Sequence, residues 1–117
     1  MDQIESIVTA HLDAWNMAAG PQRAEAVAAV YAGDVFVGEP GAALRGHEGV
    51  AQAIDALQSQ LPDTAISRSG PIQVAQDLVT YAWSLGPAGG PALATGRDVL
   101  LVRDDQVASL YVVIDAP

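Results

Sequence analysis

The hydrophobic pattern of the chain changes its period at Pro62, and this change constrains the fold more than any other feature. Before Pro62, apolar residues recur every three or four positions, as they do on one face of an α-helix. After Pro62, short apolar runs alternate with turns rich in Gly, Pro and Asp, a pattern typical of strands. Helices followed by strands predict an α+β domain in which the helices cover one face of a sheet.

Three segments carry the helical pattern. The first begins near Ile4 and places His11 and Trp15 one turn apart on one apolar stripe. The second is predicted over residues 23–32, between a Gly-Pro break and a terminal glycine, and the third over residues 47–61, where a proline follows. The first two helices are expected to form a hairpin.

The strand-like runs are short and lie close together in the second half. They are predicted at 35–37 and, after the third helix, at 64–68, 72–74, 78–85, 92–103 and 107–114. Consecutive strands joined by turns are most simply antiparallel. Strands 78–85 and 92–102 are apolar on both faces, so both faces must be covered. Helices on one face and a second copy on the other predict a homodimer through the sheet.

Composition limits the domain count and the partners. The 117 residues suffice for one domain, 1–117, and leave no room for a second. With 14 acidic and 5 basic residues the net charge is −9, which speaks against nucleic acid and anionic membranes as partners. No segment resembles a secretory signal or a span of ~20 apolar residues. The absence of cysteine fits a cytoplasmic location, and the lysine-free, alanine-rich composition is typical of a GC-rich bacterial genome.

The sequence lacks the residues that several classes of chemistry require. Without lysine or cysteine there is no Schiff-base lysine, Walker lysine or thiolate nucleophile. The glycines of residues 86–96 do not fit the dinucleotide pattern and join two strands, and no serine sits in a G-x-S-x-G elbow. Neither His11 nor His47 has carboxylates at metal-ligand spacing. We therefore expect no cofactor and no metal.

Asp98 is the most informative polar residue of the strands. It shares strand parity with Gly96 and Leu100 on a face otherwise without charge, so we expect it to be buried. A neutral carboxylic acid in an apolar pocket can donate a hydrogen bond to developing oxyanion charge. A turn-capping aspartate, or one paired with Arg97 or Arg45, explains the pattern equally well.

Glu39 follows the short strand and precedes Pro40. A carboxylate at the rim of a sheet could reach into a cleft and act as a base, although most loop glutamates are solvated. Trp15 and Tyr31 would line the same cavity if the helices cover the sheet, but aromatic residues on apolar stripes are usually core.

The order of four segments resembles the nuclear transport factor 2-like superfamily, in its SnoaL-like and ketosteroid isomerase-like branches. The segments are YAGDVFVGEP at 31–40, LRGHEGVAQAI at 44–54, SGPI at 69–72 and GRDVLLVRDDQVASLY at 96–111. This resemblance spans nearly the whole chain. It implies a cone-shaped, curved antiparallel sheet wrapped around three N-terminal helices, with an apolar pocket inside.

The resemblance also implies roles for the two carboxyl groups. Ketosteroid isomerases carry a base before a proline, which corresponds to Glu39, and a protonated oxyanion donor on a late strand, which corresponds to Asp98. Their tyrosines on the first and third helices correspond to Trp15 and Ile54, so steroid isomerisation is not expected. SnoaL-like cyclases use an acidic residue deep in a similar cavity, a role open to Asp98.

A third branch, the limonene epoxide hydrolases, uses two carboxylates with an arginine and a water. Arg97 adjoins Asp98 and should point to the opposite face of the strand, so we rank epoxide hydrolysis low.

The leading hypothesis is a domain that binds a small apolar carbonyl-containing molecule and transfers a proton, with Glu39 as base and Asp98 as neutral donor. The residues expected to contact the ligand are Trp15, Tyr31, Ile54, His11 and Phe36. The alternative is a non-catalytic ligand-binding or dimerisation module of the same fold.

Overall fold

The computed structural model describes residues 2–116, which form three helices and seven strands. The helices are α1 (Gln3–Trp15), α2 (Pro21–Val30) and α3 (Gly46–Gln60). The strands are β1 (Tyr31–Glu39), β2 (Ala42–Arg45), β3 (Ala65–Arg68), β4 (Gln73–Ala75), β5 (Leu78–Gly86), β6 (Ala94–Arg103) and β7 (Gln106–Ile114). The predicted α+β class, with three helices against a curved sheet, is confirmed.

All strands belong to one open sheet of order β2-β1-β7-β6-β5-β3, with β4 also paired to β5. Every strand pair is antiparallel except β1 with β7, which is parallel. The antiparallel pairing predicted for the strands after Pro62 is confirmed, and the parallel pair of β1 with β7 makes the whole sheet mixed. Tight turns enforce antiparallel pairing only between consecutive strands, whereas β1 and β7 are separated by α3 and the meander.

The first strand is longer than the predicted 35–37 and begins inside the predicted second helix. The helix ends at Val30, and β1 runs from Tyr31 to Glu39. Tyr31, Val35 and Val37 are fully buried, so packing against the sheet overrides the local helical pattern. After Pro40 and Gly41 the chain turns back, and β2 pairs with β1.

Polar contacts fix the helices relative to one another. The buried guanidinium of Arg23 on α2 binds the carboxylate of Asp55 on α3. Gln58 Nε2 donates to the carbonyl oxygens of Met17, at 2.7 Å, and Trp15, at 3.2 Å. These contacts hold the C-terminal end of α1, and with it the indole of Trp15, against α3.

The helices cover one face of the sheet, here called the inner face. On β5 the alternate residues Val79, Tyr81, Trp83 and Leu85 are buried on that face. The opposite, outer face includes the exposed side chains of Tyr111 and Val113 on β7. None of the helices within residues 2–116 is long and apolar enough to cross a membrane.

Candidate functional site

A cavity of about 190 Å³ lies between the helices and the inner face of the sheet. Most of its wall is aliphatic and comes from α1, the end of α3 and strands β3 and β5–β7. The wall residues with polar atoms or an indole are His11, Trp15, Glu39, Gln60, Trp83 and Asp98. A mostly apolar cavity with a few polar groups is the usual form of a small-molecule site.

Asp98 lies on the cavity wall, and its predicted burial is confirmed, with 5% of the residue exposed. Its Oδ2 accepts hydrogen bonds from Tyr81 Oη at 2.8 Å and from His11 Nε2 at 3.0 Å. The alternative that Asp98 pairs with an arginine is wrong. Arg97 donates instead to Thr80 Oγ1, and the guanidinium of Arg45 lies over the ring of Phe36.

A second layer of hydrogen bonds orients His11. Trp15 Nε1 donates to Tyr31 Oη at 2.9 Å, and the same hydroxyl contacts His11 Nδ1. An indole N–H only donates, so the hydroxyl oxygen of Tyr31 accepts from Trp15. In the neutral His11 tautomer that donates from Nε2 to Asp98, Nδ1 is unprotonated and accepts the hydroxyl proton of Tyr31. The hydrogen bonds from Trp15 to Tyr31, from Tyr31 to His11 and from His11 to Asp98 thus all run toward Asp98.

The two phenols remain protonated. Burial raises the pKa of the Tyr31 hydroxyl. Burial and the neighbouring charge of Asp98 raise the pKa of the Tyr81 hydroxyl. Both groups therefore keep their protons. Asp98 Oδ1 accepts no hydrogen bond from residues 2–116, which leaves it available to a molecule in the cavity.

Glu39 lines the same cavity as Asp98 from the end of β1. The side chain is half-buried, and this burial raises the pKa of its carboxyl group. Glu39 therefore holds its proton to a higher pH than a solvated glutamate does. The structure thus brings together the two carboxyl groups that the sequence singled out.

The predicted ligand contacts fall into three groups. His11 and Trp15 line the cavity. Tyr31 lies one layer behind them, fully buried, and bonds to both. Ile54 is fully buried in the hydrophobic core and Phe36 packs on the outer face, so neither belongs to the cavity wall.

Tyr81 and Trp83 were not predicted from the sequence as residues of the site. Both lie on the buried parity of β5, and they pair across the sheet with Asp98 and Gly96. Strand parity together with the β5–β6 register would have placed them beside Asp98, but the register is not visible in the sequence. Trp83 Nε1 is buried and has no hydrogen-bond partner within residues 2–116.

The site offers a proton acceptor in an apolar setting and few other reactive groups. Within the described residues no three His, Asp or Glu side chains are grouped so that they could hold a metal ion. The arrangement can bind an apolar molecule and exchange a proton with it through Asp98 or Glu39.

Comparison with known proteins gives one family and many structural neighbours. The family model of the SnoaL-like domain matches residues 8–110. None of the curated proteins matches the sequence.

Three solved structures illustrate the shared fold. A proposed isomerase of the SnoaL-like family from Agrobacterium tumefaciens is 22% identical with a TM-score of 0.89, covering 99% of this chain and 100% of that one. A proposed SnoaL-like polyketide cyclase from a Jannaschia species is 17% identical with a TM-score of 0.78, covering 97% and 85%. A nuclear transport factor 2-like protein of unknown function from Mesorhizobium loti is 19% identical with a TM-score of 0.73, covering 97% and 92%.

Proposed function

This chain belongs to the SnoaL-like family, as its sequence segments predicted, and we propose that it binds a small apolar carbonyl compound and transfers a proton next to the carbonyl. The setting of Asp98 carries the proposal. Its carboxyl group lies on a mainly apolar cavity, two donors hold Oδ2, and Oδ1 remains for a ligand. A carboxylate held in this way can take a proton from a carbon next to a carbonyl.

The hydrogen bonds favour one assignment of roles. Sequence analysis assigned Glu39 as the base and Asp98 as a neutral donor. Asp98 suits the role of base by its geometry, because two donors hold Oδ2 in place and Oδ1 accepts no hydrogen bond from residues 2–116. Burial raises the pKa of Glu39, which suits a group that carries a proton. We therefore assign Asp98 as the base and Glu39 as the acid.

The proposed step is the formation of an enolate. Asp98 Oδ1 takes the proton, the electrons of the C–H bond form a carbon–carbon double bond, and negative charge moves to the carbonyl oxygen. Return of a proton at another carbon, from Glu39, completes an isomerisation, and exchange with water then removes the proton from Asp98 and returns one to Glu39. Attack of the enolate carbon on a second carbonyl closes a ring, and the alkoxide that forms takes the proton of Glu39. The names isomerase and polyketide cyclase, carried by two of the structural neighbours, belong to these two outcomes.

Deuterium exchange tests this step directly. The protein is incubated with the two-ring ketone 2-tetralone in deuterium oxide, and loss of the proton signal next to the carbonyl is followed by NMR. We expect wild type to accelerate exchange and Asp98→Asn to lose about 100-fold of that acceleration, as for removal of a general base. Asp77→Asn, in an exposed turn, is the matched control and should keep full activity.

The same assay separates the two role assignments. Asparagine keeps a hydrogen-bond donor, so a neutral donor at Asp98 predicts that Asp98→Asn retains much of the exchange. A base at Asp98 predicts its loss. Equal exchange with wild type, Asp98→Asn and buffer alone would refute proton transfer by this site.

The second candidate function is a ligand-binding module without catalysis. It is favoured by Trp15, whose N–H is used by Tyr31, and by Ile54, which offers no polar group. The first helix therefore directs no indole N–H at a ligand. Calorimetric binding of 2-tetralone by a protein that gives no deuterium exchange would favour this function.

We also propose a homodimer through the outer face of the sheet. Tyr111 and Val113 are 43% and 51% exposed there, beside the partly buried ring of Phe36. Exposed apolar side chains in contact with one another are typical of protein interfaces. The cysteine-free, lysine-free composition supports a bacterial cytoplasmic setting for this assembly.

A further inference from the structure

Trp83 carries an unused hydrogen-bond donor at the wall of the cavity. Its Nε1 is the one buried side-chain nitrogen or oxygen that lacks a partner in the part of the chain the structure describes. The residue is 6% exposed and lines the cavity. Buried donors in folded proteins are almost always paired, because an unpaired donor loses its hydrogen bond to water and gains nothing in return. A partner for this donor is therefore expected.

The other tryptophan of the cavity shows what a satisfied indole looks like in the same fold. Trp15 also lines the cavity, but its N–H donates to Tyr31 Oη at 2.9 Å. Both residues are buried tryptophans. They differ in whether another residue of the protein accepts a hydrogen bond from the indole N–H. Trp83 has no acceptor within residues 2–116, although its side chain lines the cavity.

The Trp83 ring packs closely against Gly96. A Cβ atom added at Gly96 would lie 2.1 Å from the backbone oxygen of Val113 and 2.5 Å and 3.0 Å from Cζ2 and Cε2 of the indole, so both the backbone and the ring require glycine here. Cε2 is bonded to Nε1, so the nitrogen-bearing side of the ring lies against this glycine. Gly96 is two positions from Asp98 on the same face of β6, which is about 7 Å along the strand.

We propose that the Trp83 N–H donates a hydrogen bond to the carbonyl oxygen of the ligand and so sets its orientation toward Asp98. This inference rests on the proposed function and adds a substrate class to it. A donor at Trp83 and an acceptor at Asp98, rooted about 7 Å apart, can be reached by one molecule of one or two rings. Trp83 is thus the residue that distinguishes an oxygenated ligand from a hydrocarbon of equal shape.

The size of the cavity also limits the ligand to a small ring compound. A dry apolar cavity of about 150 Å³ holds a benzene molecule. The cavity here is about 190 Å³, so it accepts one ring and part or all of a second. A four-ring steroid exceeds this space. The ligand class is therefore a one- or two-ring ketone or a related compound with an acceptor oxygen.

The test compares a ketone with its hydrocarbon. Affinities for 2-tetralone and for tetralin, which has the same two rings without the oxygen, are measured by calorimetry for wild type and Trp83→Phe. Phenylalanine keeps an aromatic ring and removes the N–H. We expect Trp83→Phe to lower the preference for 2-tetralone over tetralin about tenfold, the effect of one buried hydrogen bond.

Trp15→Phe is the matched control, because it makes the same substitution in the same wall at an indole whose N–H is already bonded. It should lower the affinities for both ligands, because Trp15 also lines the cavity, and change their ratio much less than Trp83→Phe does. An equal effect of Trp83→Phe and Trp15→Phe on this ratio would overturn the inference.

A second measurement uses only the wild-type protein, so it does not depend on whether a variant folds. In wild type, the indole N–H resonance of Trp83 should move when 2-tetralone is added and should stay within the range of ring-current effects with tetralin. Equal movement with both ligands would contradict a hydrogen bond.

The results also separate this inference from the proposed function. Loss of ketone preference in Trp83→Phe without deuterium exchange in wild type supports the orienting donor and refutes catalysis. If deuterium exchange depends on Asp98 but Trp83→Phe does not change the preference for the ketone, the orienting role of Trp83 is refuted. The proposed catalysis by Asp98 would still be supported.

Discussion

The two faces of the sheet treat their side chains in opposite ways. On the inner face the side-chain polar groups of Asp98 and Tyr81 are buried and hydrogen-bonded, with Trp83 as the exception. On the outer face the apolar side chains of Tyr111 and Val113 stand in solvent in the isolated chain. The exception inside points to a ligand, and the exposed apolar groups outside point to a partner. Each deviation from ordinary burial thus indicates a different kind of interaction.

The largest expected effect comes from deleting one hydroxyl group on the buried side. Tyr31→Phe leaves the Trp15 N–H and His11 Nδ1 without their partner, and each unpaired buried group costs about 1–3 kcal/mol. We expect a loss of about 3 kcal/mol in the free energy of unfolding, measured by urea denaturation. Tyr111→Phe, the same change at an exposed tyrosine, should stay within about 0.5 kcal/mol.

A similar small loss in both variants would break the comparison of the two faces. It would mean that the buried hydroxyl of Tyr31 contributes no more to the free energy of unfolding than a solvated phenol does. In that case the donor chain from Trp15 would not be what orients His11 toward Asp98.

Much of this arrangement could be predicted from sequence, and the limit lies in long-range pairing. Strand parity was enough to predict that Asp98 is buried. Its partner His11 lies 87 residues away and becomes its neighbour only because the fold brings the side chain of His11 on α1 to the inner face of the sheet. A local pattern carries no information on such a contact, so the role of His11 as a donor to Asp98 could not be predicted.

The strand boundaries have the same explanation. Tyr31 follows a helical run, and only its burial under α1 makes it the first residue of β1. The parallel pairing of β1 with β7 joins the first strand to the last one, and no turn residue specifies it. The α+β class was predictable because it depends on the order of patterns, whereas register and pairing depend on tertiary packing.

The next largest effect concerns the outer face. Val113→Asp adds a charge to the proposed dimer surface, and we expect it to raise the dimer dissociation constant about 30-fold, near 2 kcal/mol, by sedimentation equilibrium. Val74→Asp, at an equally exposed valine on β4, should leave self-association unchanged. If both variants self-associate like wild type, the outer face is not the interface.

The smallest effect concerns Glu39, which lies where the cavity meets the surface. Its pKa is raised by burial in the folded protein, so its charged form costs stability once the pH exceeds the unfolded value of about 4.3. Glu39→Gln carries no such charge. The variant should match wild type near pH 4 and become the more stable protein as the pH rises through the folded pKa. Because the carboxyl group is partly solvated, we expect less than about 0.5 kcal/mol.

Thermal unfolding between pH 4 and pH 8 measures this difference, and Glu25→Gln on the exposed side of α2 supplies the baseline. A wild type that gains stability over Glu39→Gln as the pH rises would contradict the raised pKa. It would also remove the reason for assigning Glu39 as the proton-carrying acid. The inner face would then hold a single working carboxyl group, Asp98, and any returned proton would have to come from Asp98 itself.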